Sequence, residues 1–525
     1  MPDVFIYDTT LRDGAAREGL TFSLEDKLKI LRHLDAFGIH YVEGGYPASN
    51  PKDQEFFDAA SQLKLETAKL VAFGSTRRAL ISASRDKEMR ALVKSGAKAA
   101  CIFGKSWDFH VETALRISLD ENVYMIEESV KYLKKKELEV IFDAEHFFDA
   151  FKENPRYALQ TVEAAADAGA DWVTLCDTNG GTLPHEVAGI VREVREKVSA
   201  PLGIHAHNDC ECAVANTLTA VREGARMVHG TINGYGERCG NANLCSVIPD
   251  LVLKMSVDCI SRERLANLTE LSHYVSEVVN LTPDAHQPFV GLSAFAHKGG
   301  IHASAVTKEA RTYEHVRPDL VGNIQRIVVS ELSGKSTLIM KAKEMDIDLE
   351  GESNKLSEIL KKIKQLEHVG YQFEAADGSF EILVRKTMGT HKRFFRLESF
   401  RVIMEKREDG KVMTEATVKI HVGGRRLIAT AEGNGPVNAL DRAIRLAIDR
   451  SFPAIKDIEL TDYKVRVLDE KKGTAAVTRV LIETSDGEKS WGTIGVHENI
   501  IEASWEALVD SIEFGLIHKK QQPHD

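Results

Sequence analysis

From its first residues the chain alternates short apolar, β-branched runs with longer stretches in which apolar residues recur every three or four positions. VFIYDTT is followed by the helical pattern Leu24 to Phe37, and HYVEGGY by the pattern Lys52 to Leu63. The beat continues through KLVAFG, KAACIFG, EVIFDAEHF, DWVTLCDTN, PLGIHAHND and MVHGTINGYGE, with helical stretches such as Pro155 to Ala168 and Glu211 to Glu223 between them. Strand runs that are almost continuously apolar, separated by helices, belong to a parallel sheet covered on both faces. Eight strand-then-helix units in about 255 residues match the size of a (β/α)8 TIM barrel, so the expected class is α/β. An open, doubly wound sheet is the alternative, weakened because no GxGxxG follows the first strand.

After about Cys259 this beat stops. Leu268 to Asn280 and Lys355 to His368 read as charged amphipathic helices around an irregular stretch containing His and Gly. From Tyr371 the runs EILVRK, FRLESFRVIMEKRE, MTEATVKIHV and RRLIATAEGNG predict antiparallel strands, closed by a helix over Val437 to Asp449. TDYKVRVLDE, AAVTRVLIETS and KSWGTIGV then precede a helix over Asn499 to Phe514, which implies a pseudo-two-fold repeat. The expected domains are a catalytic barrel over 1–265, helical linker or lid subdomains over 266–370, and a C-terminal α+β regulatory domain over 371–525. Gly433-Asn434-Gly435-Pro436 and Gly492-Thr493-Ile494-Gly495 read as paired turns before the two helices, either plain tight turns or related small-ligand sites.

Composition narrows the partners more than the fold. With 43% hydrophobic and 28% charged residues among 525, the chain has an ordinary globular make-up. A net charge of −11 lacks the basic footprint of a nucleic-acid binder. MPDVFIYDTTLRDG has no basic and apolar leader pattern, and no apolar run is long enough to span a membrane, so a cytoplasmic protein with no membrane partner is expected. Seven scattered Cys suit reduced thiols better than a disulfide framework.

In such a barrel the chemistry gathers at the C-terminal strand ends. The polar anomalies stand there: Arg12-Asp13-Gly14, Glu43, Glu145-His146, Asp177-Thr178, His205-Ala206-His207-Asn208-Asp209, and Gly236-Glu237-Arg238 with Asn241 beyond. A period of two puts His205 and His207 on one face, where Asp13 can join them around Zn²⁺, Mn²⁺ or Mg²⁺ and leave positions open for water or substrate. The plain alternative is two histidines capping a strand end, and a Cys210-x-Cys212 zinc site is a further one. Ser333-Gly334-Lys335-Ser336-Thr337 resembles the end of a P-loop but has Val329 where the motif needs Gly, so a Ser-capped helix start is expected instead. His297-Lys298-Gly299-Gly300-Ile301-His302 reads either as an exposed turn or as a loop folding over the barrel mouth.

DTTLRDG, GIHAHND, NGYGERCGNANL, HKGGIHASAV and HENIIEASWEALVDSI together resemble the family of 2-isopropylmalate, homocitrate and citramalate synthases, across essentially the whole chain. EGGYPASNPKDQEFF, GYQFEAADGSFEILV and DGAAREGL are most similar to its long citramalate branch. The resemblance implies a Claisen condensation of acetyl-CoA with pyruvate and thioester hydrolysis to citramalate and CoA, a step toward isoleucine. It implies Asp13, His205 and His207 as metal ligands with Asn241 completing the shell, Arg12 facing the developing alkoxide, and Thr178 and Glu43 beside the substrate. His302 matches the family's base, Tyr313 its companion, and Glu145 the residue that orients or activates water. It further implies a homodimer whose C-terminal domain binds isoleucine as feedback effector. Ala16 departs from the pattern, standing where the family carries Gln. The alternatives are a 2-isopropylmalate synthase acting on 2-oxoisovalerate, an acyl-CoA lyase, which lacks this C-terminal domain, and a non-catalytic amino-acid-binding regulator.

Overall fold

The computed structural model describes residues 3–521 apart from 50, 299, 331–333 and 469–475. The eight apolar runs form β1 (Phe5–Asp8), β2 (Tyr41–Gly45), β3 (Lys69–Ser75), β4 (Ala99–Lys105), β5 (Glu139–Glu145), β6 (Trp172–Asp177), β7 (Leu202–Ala206) and β8 (Met227–Gly230). They pair in parallel in sequence order and close β8 onto β1, with Tyr7 opposite His229. Helices cover the outside because each carries an apolar stripe at helical spacing. In Leu24–Phe37 the buried side includes Lys27, Ile30, Leu31, Leu34 and Phe37. Ser23 and Asp26 form a capping box at its start, and Gly38, at φ 101°, ends it in the left-handed region.

Inside the barrel the period of two sorts side chains into layers. Tyr41, Ala99, Ile141, Trp172 and Met227 belong to the apolar lower filling. Two residues further along the same strands stand Glu43, Cys101, Asp143, Thr174 and His229, and another step brings Glu145 on β5 and His207 just past β7. A polar middle layer is unusual for a barrel, whose filling is normally branched and apolar.

The chain divides into two units, Met1–Phe295 with His315–Gln325, and Ala296–Glu314 with Arg326–Asp525. The second unit opens with the short parallel pair β9 (Ala296–His297) and β10 (Arg326–Ile327). It contains a small helical cluster in which the helix Ser353–His368 buries Leu356, Ile359 and Ile363. Two three-stranded antiparallel sheets follow, β11 (Arg396–Lys406), β12 (Val412–Val422) and β13 (Arg425–Gly433), then β14 (Glu459–Val467), β15 (Thr478–Ser485) and β16 (Ser490–His497). Each is followed by a helix, Pro436–Ile448 and Ile500–His518, which is the repeat expected from the sequence.

Four local expectations are corrected. EILVRK is part of the helix Asp377–Met388, where Phe380, Val384 and Thr387 are buried along one side and Glu381 pairs with Arg385 one turn on. A six-residue run with three consecutive apolar positions, Ile382 to Val384, fits either period, and here packing chose the helix. Gly492 to Gly495 is not a turn but lies inside β16. Its glycines serve close approach, since a Cβ on Gly492 would stand 2.0 Å from Ala375 O and one on Gly495 1.9 Å from Ala503 O. His302 sits not in a loop but on the helix Gly300–Lys308. The helix Lys335–Glu344 has Gly334 as its N-cap with no side-chain cap, while Ser333 lies outside the described residues, as do Asp469 and Glu470 of the strand-like run TDYKVRVLDE. Gly495→Ala is expected to destabilise the full chain by about 1–3 kcal/mol, because strand and helix must part to admit the methyl. Urea unfolding followed by circular dichroism measures this, and an unchanged midpoint would contradict the close approach.

Candidate active site

The barrel mouth is built from the loops after β1 and β8 and the end of β7. β1 stops at Asp8, and the chain turns so that Arg12 and Asp13 reach back over the barrel. Asp8 supports that turn by accepting from the amide and the hydroxyl of Thr10. After β8, the amide of Asn208 donates to Gly240 O and that of Ala242 to Ala206 O, which fastens the Asn241 loop against the end of β7.

These elements bring the sequence-derived metal set together. His205 Nε2 lies 3.4 Å from Asp13 Oδ2, 3.4 Å from His207 Nε2 and 3.3 Å from Asn241 Nδ2. Asn241 Nδ2 also donates to Asp13 Oδ2 at 3.2 Å. All four side chains are buried. Burial drives the His205 imidazole down to about 3 against the pull of Asp13, and it lowers His207 as well. Burial alone lifts an aspartate, yet Arg12, helped by the hydrogen bond from Asn241, holds the Asp13 carboxyl below its ordinary range. Two neutral imidazoles and an ionised carboxylate are donors suited to a divalent cation, and Asn241 Oδ1, buried without a hydrogen-bond partner among the described residues, is a further oxygen once the amide turns from presenting Nδ2.

Arg12 and Glu43 flank this cluster. The Arg12 guanidinium pairs with both Asp13 and Glu43 and lies 3.8 Å over the Phe73 ring. Burial opposes its charge, but those two carboxylates keep it protonated. Glu43, fully buried and held above its usual range by that burial, also accepts from Tyr7 Oη at 2.5 Å.

On the neighbouring strands Glu145 pairs with Lys105, at the end of β4. Thr178 Oγ1 accepts the His146 amide at 2.9 Å, which leaves its own hydroxyl proton free to donate outward. Asp177 is spent locally on the amide and hydroxyl of Thr182. Ala16 ends the short turn after Asp13 and is exposed. His302 and Tyr313 belong to the other unit, where their rings stack at 4.2 Å.

Several groups escaped the sequence reading. Arg238 was singled out only as part of a motif, yet it bridges Asp209 and Thr178 O at 2.7 Å each and so clasps the loops after β6, β7 and β8. Trp107, His110 and His146 form an aromatic cluster beside Glu145, with the two imidazoles 4.5 Å apart. Below the mouth Asp143, His205 and His229 each bring one donor atom within 4.8 Å of the other two. Counting back two residues from Glu145 would have found Asp143. That trio shares His205 with the mouth set, but its Asp143 and His229 lie within the strands, whereas Asp13, His207 and Asn241 stand beyond the strand ends, where a substrate can reach an open position, so the mouth set is the one suited to catalysis.

A closed parallel barrel with a carboxylate, two neutral imidazoles and an arginine at its C-terminal mouth defines a metal-dependent barrel enzyme. Residues 3–275 match the HMGL-like family, 289–370 the homocitrate synthase post-HMGL domain-like family, and 374–516 the LeuA allosteric (dimerisation) domain. The chain is 54% identical to an (R)-citramalate synthase of Geobacter sulfurreducens, over 99% of this chain and 98% of that one. It is equally 54% identical to the (R)-citramalate synthase of Aquifex aeolicus, over 99% of both chains. A 2-isopropylmalate synthase of Methanocaldococcus jannaschii is more distant, at 31% over 98% of this chain and 95% of that one. The chain belongs to the HMGL-like family and, within it, to the citramalate synthases.

Proposed function

We infer that this chain joins the acetyl group of acetyl-CoA to pyruvate and hydrolyses the resulting thioester, releasing citramalate and CoA. Two facts support this: identity to citramalate synthases over nearly the whole chain, and the convergence of Asp13, His207 and Asn241 on His205 Nε2. Asp13, His205, His207 and Asn241 would hold a divalent ion, Mn²⁺, Mg²⁺ or Zn²⁺, which supplies Lewis-acid polarisation of the substrate ketone. The Arg12 guanidinium stands beside Asp13 to receive the negative charge that develops on the ketone oxygen. Thr178 donates its free hydroxyl proton to the pyruvate carboxylate. Glu145, paired with Lys105, orients water for thioester hydrolysis. His302, partnered by Tyr313, takes the proton from the acetyl methyl group.

The test is release of free thiol from acetyl-CoA with a panel of 2-oxo acids, with and without chelator. Pyruvate-selective release that chelator abolishes is expected. Selective turnover of 2-oxoisovalerate would make the chain a 2-isopropylmalate synthase, and no release with any acid would leave only a regulator.

The LeuA-type domain supports a homodimer and an amino-acid effector, and the likeness to citramalate synthases implies isoleucine in that role. A cleft of about 990 Å³ beside the helix Pro436–Ile448 has Leu446, Ile455 and Ile458 as its apolar wall and Asp441, Arg442 and Arg445 as charged groups, features that suit a branched amino acid. Titrating isoleucine into the assay is expected to inhibit turnover, and full activity at saturating isoleucine would overturn the effector reading. No helix among the described residues is long and apolar enough to cross a membrane, and the scattered thiols and biosynthetic reaction fit a cytoplasmic setting.

A further inference from the structure

A neutral imidazole has one N–H and one lone pair, and the nitrogen carrying the proton decides which one can ligate. For His205 the ligating nitrogen is Nε2, which faces Asp13, His207 and Asn241. Its proton therefore belongs on Nδ1, and a buried N–H requires an acceptor. His205 Nδ1 has no hydrogen-bond partner among the described residues, and neither do Asp143 Oδ1 and His229 Nδ1. These three side chains form the trio beneath the mouth, within 4.8 Å of one another, with His229 Nδ1 4.0 Å from Asp143 Oδ1. His229 itself is fixed: its ring stacks on Tyr7 at 3.9 Å and its Nε2 faces Thr174 Oγ1 at 3.4 Å. An imidazole nitrogen offers a single lone pair, whereas the carboxyl oxygen can accept from two neighbours at once.

We propose that Asp143 is a positioning residue for the proposed metal ligand His205: across one water, Asp143 Oδ1 accepts the Nδ1 proton of His205, and so holds Nε2 unprotonated and aimed at the mouth. The inference deepens the proposed function and rests on its reading of the mouth residues as ligands. It accounts for an ionisable pair, Asp143 and His229, in a layer that barrels normally fill with apolar side chains. Partners that orient a ligating histidine in this way typically alter metal affinity about 10–100-fold when removed.

The experiment is equilibrium dialysis of Mn²⁺ against the full chain without substrates. Asp143→Leu is expected to weaken binding about 10–100-fold, and Asp143→Asn, whose amide oxygen still accepts, to recover most of that loss. The visible spectrum of the Co²⁺-loaded protein is expected to change in the leucine variant and return toward the parent's in the asparagine variant. Parent-like affinity in Asp143→Leu, or equal losses in the two variants, would overturn the proposal. Should the leucine variant not fold, ¹⁵N-histidine spectra of the metal-free parent decide: a proton on His205 Nδ1 is expected, and a proton on Nε2 would overturn it. Asp13→Ala serves as the control. If it binds Mn²⁺ like the parent, the ligand assignment fails and the relay with it, whereas loss of binding there beside parent-like Asp143→Leu rejects the relay alone.

Discussion

Asp13→Ala is expected to lose its divalent ion and with it at least about a thousandfold in turnover, since a ligand and a Lewis-acid centre disappear together. Among the described residues Asp13 is the only carboxylate in contact with His205 Nε2 at the mouth, at 3.4 Å, and it is held ionised there. Its removal also takes away the acceptor for Asn241 Nδ2 and one of the two carboxylates that pair with Arg12. Dialysis followed by metal analysis measures the first effect and thiol release the second. A variant that keeps its ion while losing turnover would move Asp13 from ligand to substrate contact. One that keeps both would remove the proposed chemistry.

Arg12→Leu is expected to lower kcat by about 100–1,000-fold, the usual worth of one preorganised group at a developing oxyanion, while Mn²⁺ still binds. It is also expected to destabilise the protein by about 3–5 kcal/mol, because fully buried Glu43 would be left with its charge uncompensated. The two effects separate in a double variant. Adding Glu43→Gln removes the stranded charge and is expected to restore thermal stability but not turnover. Arg12→Lys is expected to restore little, since an ammonium cannot span Asp13 and Glu43 as the planar guanidinium does. Turnover within tenfold of the parent in Arg12→Leu would contradict the proposed role.

Much of this site was legible in the residues. The eight-unit beat, the period of two across His205-x-His207 and the RDG turn after the first strand place Arg12, Asp13, His205 and His207 at one mouth before any distance is known. Of the inner layer only Glu43 and His205 are read from the sequence; Asp143 and His229 obey the same period, but a strand reading looks for apolar inward positions and passes over polar ones. EILVRK, with only three apolar residues, fits either period, and the choice lies with the cluster around Phe373 and Phe380. In the sequence Gly492 and Gly495 read as a turn because glycine marks both tight turns and close approaches, which only the neighbouring backbone distinguishes.

What the sequence determined by itself is whatever local periodicity and composition carry: strand-and-helix order, the class of fold, the repeat in the C-terminal half, and the donor types offered at each strand end. Only the closed barrel decided that Asn241 would reach Asp13, 228 positions away, and that His229 of β8 would face Asp143 of β5 across the interior. Those encounters depend on strand register and closure, and burial then decides charge. Ring closure removes His205 from water, so that its imidazole stays neutral and able to ligate.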